Sequence, residues 1–61
     1  MPLIRVDMLK GRPDEKKKEL VERLTATLSE VLGTPPDATW VIVEEHDKEN
    51  WAIGGTRFSE K

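Results

Sequence analysis

A small α/β unit, two parallel strands joined by one long crossover helix and followed by a short hairpin, is the fold that three features of this sequence predict. Residues 3–9 alternate apolar and polar side chains, 14–32 carry an apolar stripe at helical spacing, and 39–45 are rich in β-branched residues. Strand, helix and strand in that order make a right-handed βαβ unit. A helix of about twenty residues is roughly 30 Å long and can run back past a seven-residue strand of about 23 Å.

The chain has 61 residues, and a domain of this size buries only about 60% of the surface that its unfolded form exposes. It has no cysteine and a single histidine, so disulfides and a cysteine–histidine zinc site are excluded as staples. Association with other copies remains. Ten basic and twelve acidic residues give a net charge of −2, and the basic residues are dispersed, which leaves no electrostatic footprint for nucleic acid or an anionic membrane. No apolar run approaches a transmembrane length, and 1–15 lack the apolar core of a signal peptide. A single cytoplasmic domain over 1–61 is therefore expected.

In the first strand Ile4, Val6 and Met8 share one face, read as the core face, and Leu3, Arg5, Asp7 and Leu9 share the other. Lys10-Gly11-Arg12-Pro13 ends it. Pro13 pre-sets the backbone of a first helical residue, and Asp14 and Glu15 suit the positive end of the helix dipole. The helical stripe is Leu20, Val21, Leu24, Leu28, Val31 and Leu32, opposite a face of Lys, Glu and Arg. Gly33 closes the helix and Pro35-Pro36 prevent its continuation. The second strand is apolar at consecutive positions, which implies cover on both faces although one helix covers only one. The face carrying Leu3, Leu9 and one side of 40–43 is expected to meet another copy. Residues 47–50 read as a polar turn, Gly54-Gly55 as a bend between Trp51-Ala52-Ile53 and Thr56-Arg57-Phe58, and 59–61 as a fraying tail.

Side chains suited to catalysis are scarce. Glu44 and Glu45 are neighbours on a strand and point to opposite faces, which argues against a carboxylate pair. His46 has no partner at triad or metal spacing and reads as an ordinary strand-end histidine. Lys16-Lys17-Lys18 fan around a turn among Glu15, Glu19 and Glu22, the pattern of a solvated face. Gly54-Gly55 lacks the helix and lysine of a phosphate loop. Trp40 and Trp51 read first as core or interface anchors, and Arg12, by position alone, as a surface loop residue. Pro2 differs. A small residue after the initiator favours removal of Met1, which leaves a secondary amine at the head of a strand, a base that needs no side chain. Burial beside apolar walls and a nearby guanidinium, for which Arg12 is the candidate, would both lower its basicity toward neutrality.

Met1-Pro2-Leu3-Ile4, the run from Leu9 to Lys16, Val41-Ile42-Val43-Glu44-Glu45 and Asn50-Trp51-Ala52-Ile53-Gly54-Gly55 together resemble the 4-oxalocrotonate tautomerase family, also called 2-hydroxymuconate tautomerases. The resemblance implies a β-α-β subunit assembled as a homohexamer, a trimer of dimers, working without a cofactor in the breakdown of aromatic hydrocarbons. It implies that Pro2 is the catalytic base, moving a proton from the 2-hydroxyl of a dienol to a distal carbon. Arg12 matches the arginine that binds the distal carboxylate of the substrate, and Trp51 the aromatic wall of the site. Trp40 stands where the best-known members carry a second arginine, so the substrate implied here is a monocarboxylate dienol or an enolpyruvate-type acid. Arg5 and Arg57 are the candidates to supply the missing cation. Two other readings are a haloacrylate hydratase or dehalogenase, which wants a carboxylate to activate water, and a non-catalytic oligomeric module, which follows if Met1 is retained.

Overall fold

The alternating segment forms strand β1 (Leu3–Leu9), the periodic segment helix α1 (Asp14–Leu32) and the second β-branched segment strand β2 (Trp40–His46). The structure is a computed structural model and describes residues 1–61. β1 and β2 pair in parallel, Leu3 beside Trp40 and Leu9 beside His46, with α1 as the crossover that a parallel pair requires. Two bonds extend the ladder. Trp40 N–H donates to the Pro2 carbonyl at 3.0 Å and Lys10 N–H to the His46 carbonyl at 3.0 Å.

Helix α1 begins after Pro13, which is its N-cap rather than its first residue; the Pro13 carbonyl accepts from Lys16 N–H at 3.0 Å. Gly33 ends the helix at φ 73°, in the left-handed region, with its N–H on the Ser29 carbonyl. β2 starts one residue later than the sequence pattern indicates and takes in His46. The cause is Thr39. Its hydroxyl donates to the Pro35 carbonyl at 3.0 Å and lies 3.2 Å from the Thr34 hydroxyl and 3.4 Å from that of Ser29, which ties it to the 3-10 turn Pro36–Ala38 and buries it.

Residues side by side in β1 and β2 share a face. Ile4, Val6 and Met8 lie with Val41, Val43 and Glu45 under α1, whereas Leu3, Arg5, Asp7 and Leu9 lie with Trp40, Ile42, Glu44 and His46 on an open face. Met8, 8% exposed, is the single buried apolar residue of the protomer. Leu20, Val21, Leu24 and Leu28 are half-buried. Val31 and Leu32, expected on the buried stripe, are instead 74% and 56% exposed. A 19-residue helix of about 28 Å outruns strands of about 23 Å, so its last turn overhangs the sheet.

The 16–18 lysines are not uniformly solvated. Lys17 turns inward and its ammonium lies 2.9 Å from Glu45 Oε1, tying α1 to β2. That hydrogen bond, opposed by desolvation, holds the Lys17 ammonium above the usual lysine range. Beyond a 3-10 turn at Lys48–Asn50, β3 (Ala52–Ile53) and β4 (Thr56–Arg57) form an antiparallel hairpin separate from the main pair. Its two-residue loop, Gly54 at φ 60° and Gly55 at φ 85°, has the positive angles that such a loop needs. The tail does not fray as expected. Phe58–Glu60 form a 3-10 turn, held by the Arg57–Glu60 ion pair at 2.6 Å and by Lys61 over the Phe58 ring at 4.4 Å.

Candidate active site

Where β1 runs into the turn before α1, an open groove of about 450 Å³ forms. It is lined by Asp7, Met8 and Leu9 of β1, by Arg12, and by Trp51, Ile53 and Phe58 of the C-terminal segment. Arg12 is exposed. Its guanidinium donates to the Leu9 carbonyl at 3.3 Å and enters none of the protomer's ion pairs. Trp51 meets Phe58 edge to face at 6.3 Å between centroids, and its carbonyl accepts from Phe58 N–H at 2.8 Å. A guanidinium with donors to spare beside an aromatic wall suits a small organic anion.

The opposite end of β1 carries the other two expected residues. Pro2 is half-buried and joined to β2 through its carbonyl. Its nitrogen is an amide of Met1, so basicity there requires removal of Met1. Trp40, 53% exposed, stands with Leu3 and Ile42 on the open face, which makes this end apolar. The structure thus brings Arg12 to Trp51 and Pro2 to Trp40, and keeps the two pairs apart by the length of β1, about 23 Å. Neither proposed substitute for a second cation is free. Arg5 pairs with Asp7 at 3.4 Å and Arg57 with Glu60 at 2.6 Å.

His46 is more than an ordinary strand-end residue. Its Nε2 lies 2.8 Å from Asp7 Oδ1, and its ring meets Trp51 edge to face, 5.7 Å between centroids and 64° between planes. The His46 bond first, then Arg5, hold the Asp7 carboxyl below the usual carboxylate range against the opposing effect of desolvation. These partners are 39 positions apart. Strand alternation places Asp7 on the open face, but only the β1–β2 register, which pairs His46 with Leu9, brings it diagonally next to Asp7. No three histidine, aspartate or glutamate side chains gather as a metal-binding group, and no helix is long and apolar enough to cross a membrane.

Comparison with known proteins places these features in a wider set. The family model described as tautomerase enzyme matches residues 2–61. A crystallised 4-oxalocrotonate tautomerase homologue is 48% identical, with a TM-score of 0.95 over 100% of this chain and 97% of its own. The 2-hydroxymuconate tautomerase of Bacillus subtilis is 40% identical over 98% of this chain and 97% of its length. A heterohexamer 4-oxalocrotonate tautomerase from Chloroflexus aurantiacus is 33% identical, with a TM-score of 0.91 over 98% and 97% of the two chains.

Proposed function

The chain belongs to the tautomerase family, and from that premise we propose that it is a cofactor-independent keto–enol tautomerase acting on a 2-hydroxydienoate or enolpyruvate-type acid. With Met1 removed, the Pro2 nitrogen takes the proton of the 2-hydroxyl and the same amine returns it to a distal carbon, leaving a conjugated 2-oxo acid of unchanged composition. Arg12 binds a substrate carboxylate, and Trp51 walls the site and keeps the amine poorly protonated. The observation that carries this reading is the Arg12 guanidinium, without a carboxylate partner, in a groove otherwise lined largely by Trp51, Ile53, Phe58 and Leu9.

Since Pro2 and Arg12 stand about 23 Å apart along one β1, the reading requires Pro2 of one copy to meet Arg12 of another. Self-association is supported by the exposure of Leu3, Trp40, Ile42, Val31 and Leu32 in a protomer with a single buried apolar residue. A homohexamer built as a trimer of dimers is the assembly proposed, in keeping with the hexameric relative, and the cytoplasm is its proposed place. The apolar end around Trp40 favours a monocarboxylate over a dicarboxylate there, because no unpaired cation faces it. The dehalogenase reading is weaker, since Asp7, the one groove carboxylate, has both oxygens engaged.

The test is ketonisation of 2-hydroxymuconate and of its monocarboxylate analogue, followed by absorbance, with intact mass recorded for each preparation. Pro2→Ala should lose at least about 100-fold in kcat/KM, the usual scale for a general base. An unchanged rate, or a native protein that wholly retains Met1, would leave only an oligomeric module.

A further inference from the structure

Two opposite charges line the same groove, Asp7 and Arg12, yet they do not pair. Each carboxylate oxygen of Asp7 has another partner. Oδ1 lies 2.8 Å from His46 Nε2, and Oδ2 lies 3.4 Å from Arg5 Nε. Arg12 is left with the Leu9 carbonyl alone, although it lines the same groove as the Asp7 carboxylate. His46 is itself held in place. Its carbonyl accepts from Lys10 N–H, its ring edge packs on Trp51, and its side chain is about one-third exposed, at 32%.

We infer that His46 is a positioning residue that occupies Asp7 and so keeps Arg12 free for the carboxylate of the substrate. The inference rests on the proposed role of Arg12. Its physical content is competition. A carboxylate in the groove, fixed by the chain, meets a guanidinium at an effective concentration far above that of dissolved substrate, so a released Asp7 would inhibit binding without touching the proton transfer. Removing His46 takes away the largest cause that lowers the Asp7 carboxyl, but an ordinary aspartate is still ionised through the neutral range, so the competitor persists. The hydrogen bond from His46 and the pair with Arg5 are what divert it.

The experiment compares steady-state constants for 2-hydroxymuconate among the full-length assembled protein and its His46→Phe, His46→Gln, His46→Phe/Asp7→Asn and Arg12→Gln variants, with sedimentation and thermal unfolding confirming the fold. His46→Phe keeps an aromatic edge against Trp51 and removes the donor to Asp7; KM should rise about tenfold, with kcat within about twofold, as loss of one charge-assisted contact requires. His46→Gln, which can still donate to Asp7, should restore most of the affinity. Removing the competitor in His46→Phe/Asp7→Asn should return KM to the wild-type range. A single variant with unchanged KM, or a double variant no better than the single one, would overturn the inference while leaving the Arg12 reading intact. Unchanged KM in Arg12→Gln would overturn both.

Discussion

The two faces of the β1–β2 sheet come from alternate residues of the same short strands, yet they do different work. The face under α1 is uniform. Ile4, Val6, Met8, Val41 and Val43 are apolar along its length, and its one ionic contact, Lys17–Glu45, sits at the end near the helix N-terminus. The open face is divided. Leu3, Trp40 and Ile42 make an apolar end beside Pro2, whereas Arg5, Asp7, Glu44 and His46 make a polar end toward the Arg12 groove. The covered face holds the protomer together, and the open face is the one that the proposed chemistry and assembly would use. The contrast leaves Leu3, Trp40 and Ile42 exposed in a protomer with one buried apolar residue, which is the surface that the proposed association would cover.

The sharpest way to break that contrast is a charge on the apolar end. Ile42→Glu should shift sedimentation to the mass of smaller species and reduce ketonisation by at least about 100-fold, since the proposed meeting of Pro2 and Arg12 across copies would then be lost. A fully assembled, active variant would move the contact elsewhere. On the covered face, Met8→Ala should lower the stability of the protein by about 2–3 kcal/mol in urea unfolding at fixed protein concentration, the low end for a buried methionine because the site is shallow.

A smaller effect should come from Trp40→Arg. A guanidinium at the apolar end should lower KM for the dicarboxylate 2-hydroxymuconate by about tenfold and leave the monocarboxylate analogue little changed. Equal effects on both acids would remove Trp40 from the substrate. The smallest concerns the Lys17–Glu45 tie. Lys17 titrates above its ordinary value of 10.5, so its contribution is fully present below that pH and is lost as pH rises through the folded value. Lys17→Met should therefore melt a few degrees below the parent at pH 7–9, and the gap should close under more alkaline conditions.

Much of this was legible from residue order. β1, α1, β2 and the glycine hairpin follow from periodicity and from Pro13, Gly33, Pro35 and Gly54-Gly55, all signals that act within a few residues. The helix overhang at Val31 and Leu32 was not, since the periodic stripe continues after the sheet beneath it has ended. The ordered tail is not legible in the sequence, because the contacts between side chains that hold it, Arg57 with Glu60 and Lys61 over Phe58, leave no periodic pattern. Arg12 and Trp51 could be singled out one by one, but nothing local said that they share a groove, or that Arg5 and Arg57 are already committed to carboxylates.

What the sequence determined by itself is the set of elements and the two faces of each strand, because backbone sterics and the alternation of side chains are local. Only the tertiary structure decided the partners. The parallel register sets His46 beside Leu9 and so diagonally next to Asp7, 39 positions away, and the crossover sets Lys17 over Glu45 across 28. The length of β1 places Pro2 and Arg12 beyond opposite ends of the strand. Electrostatic and hydrogen-bond partnerships depend on distances of a few ångströms, and those exist only once the strands have chosen their register.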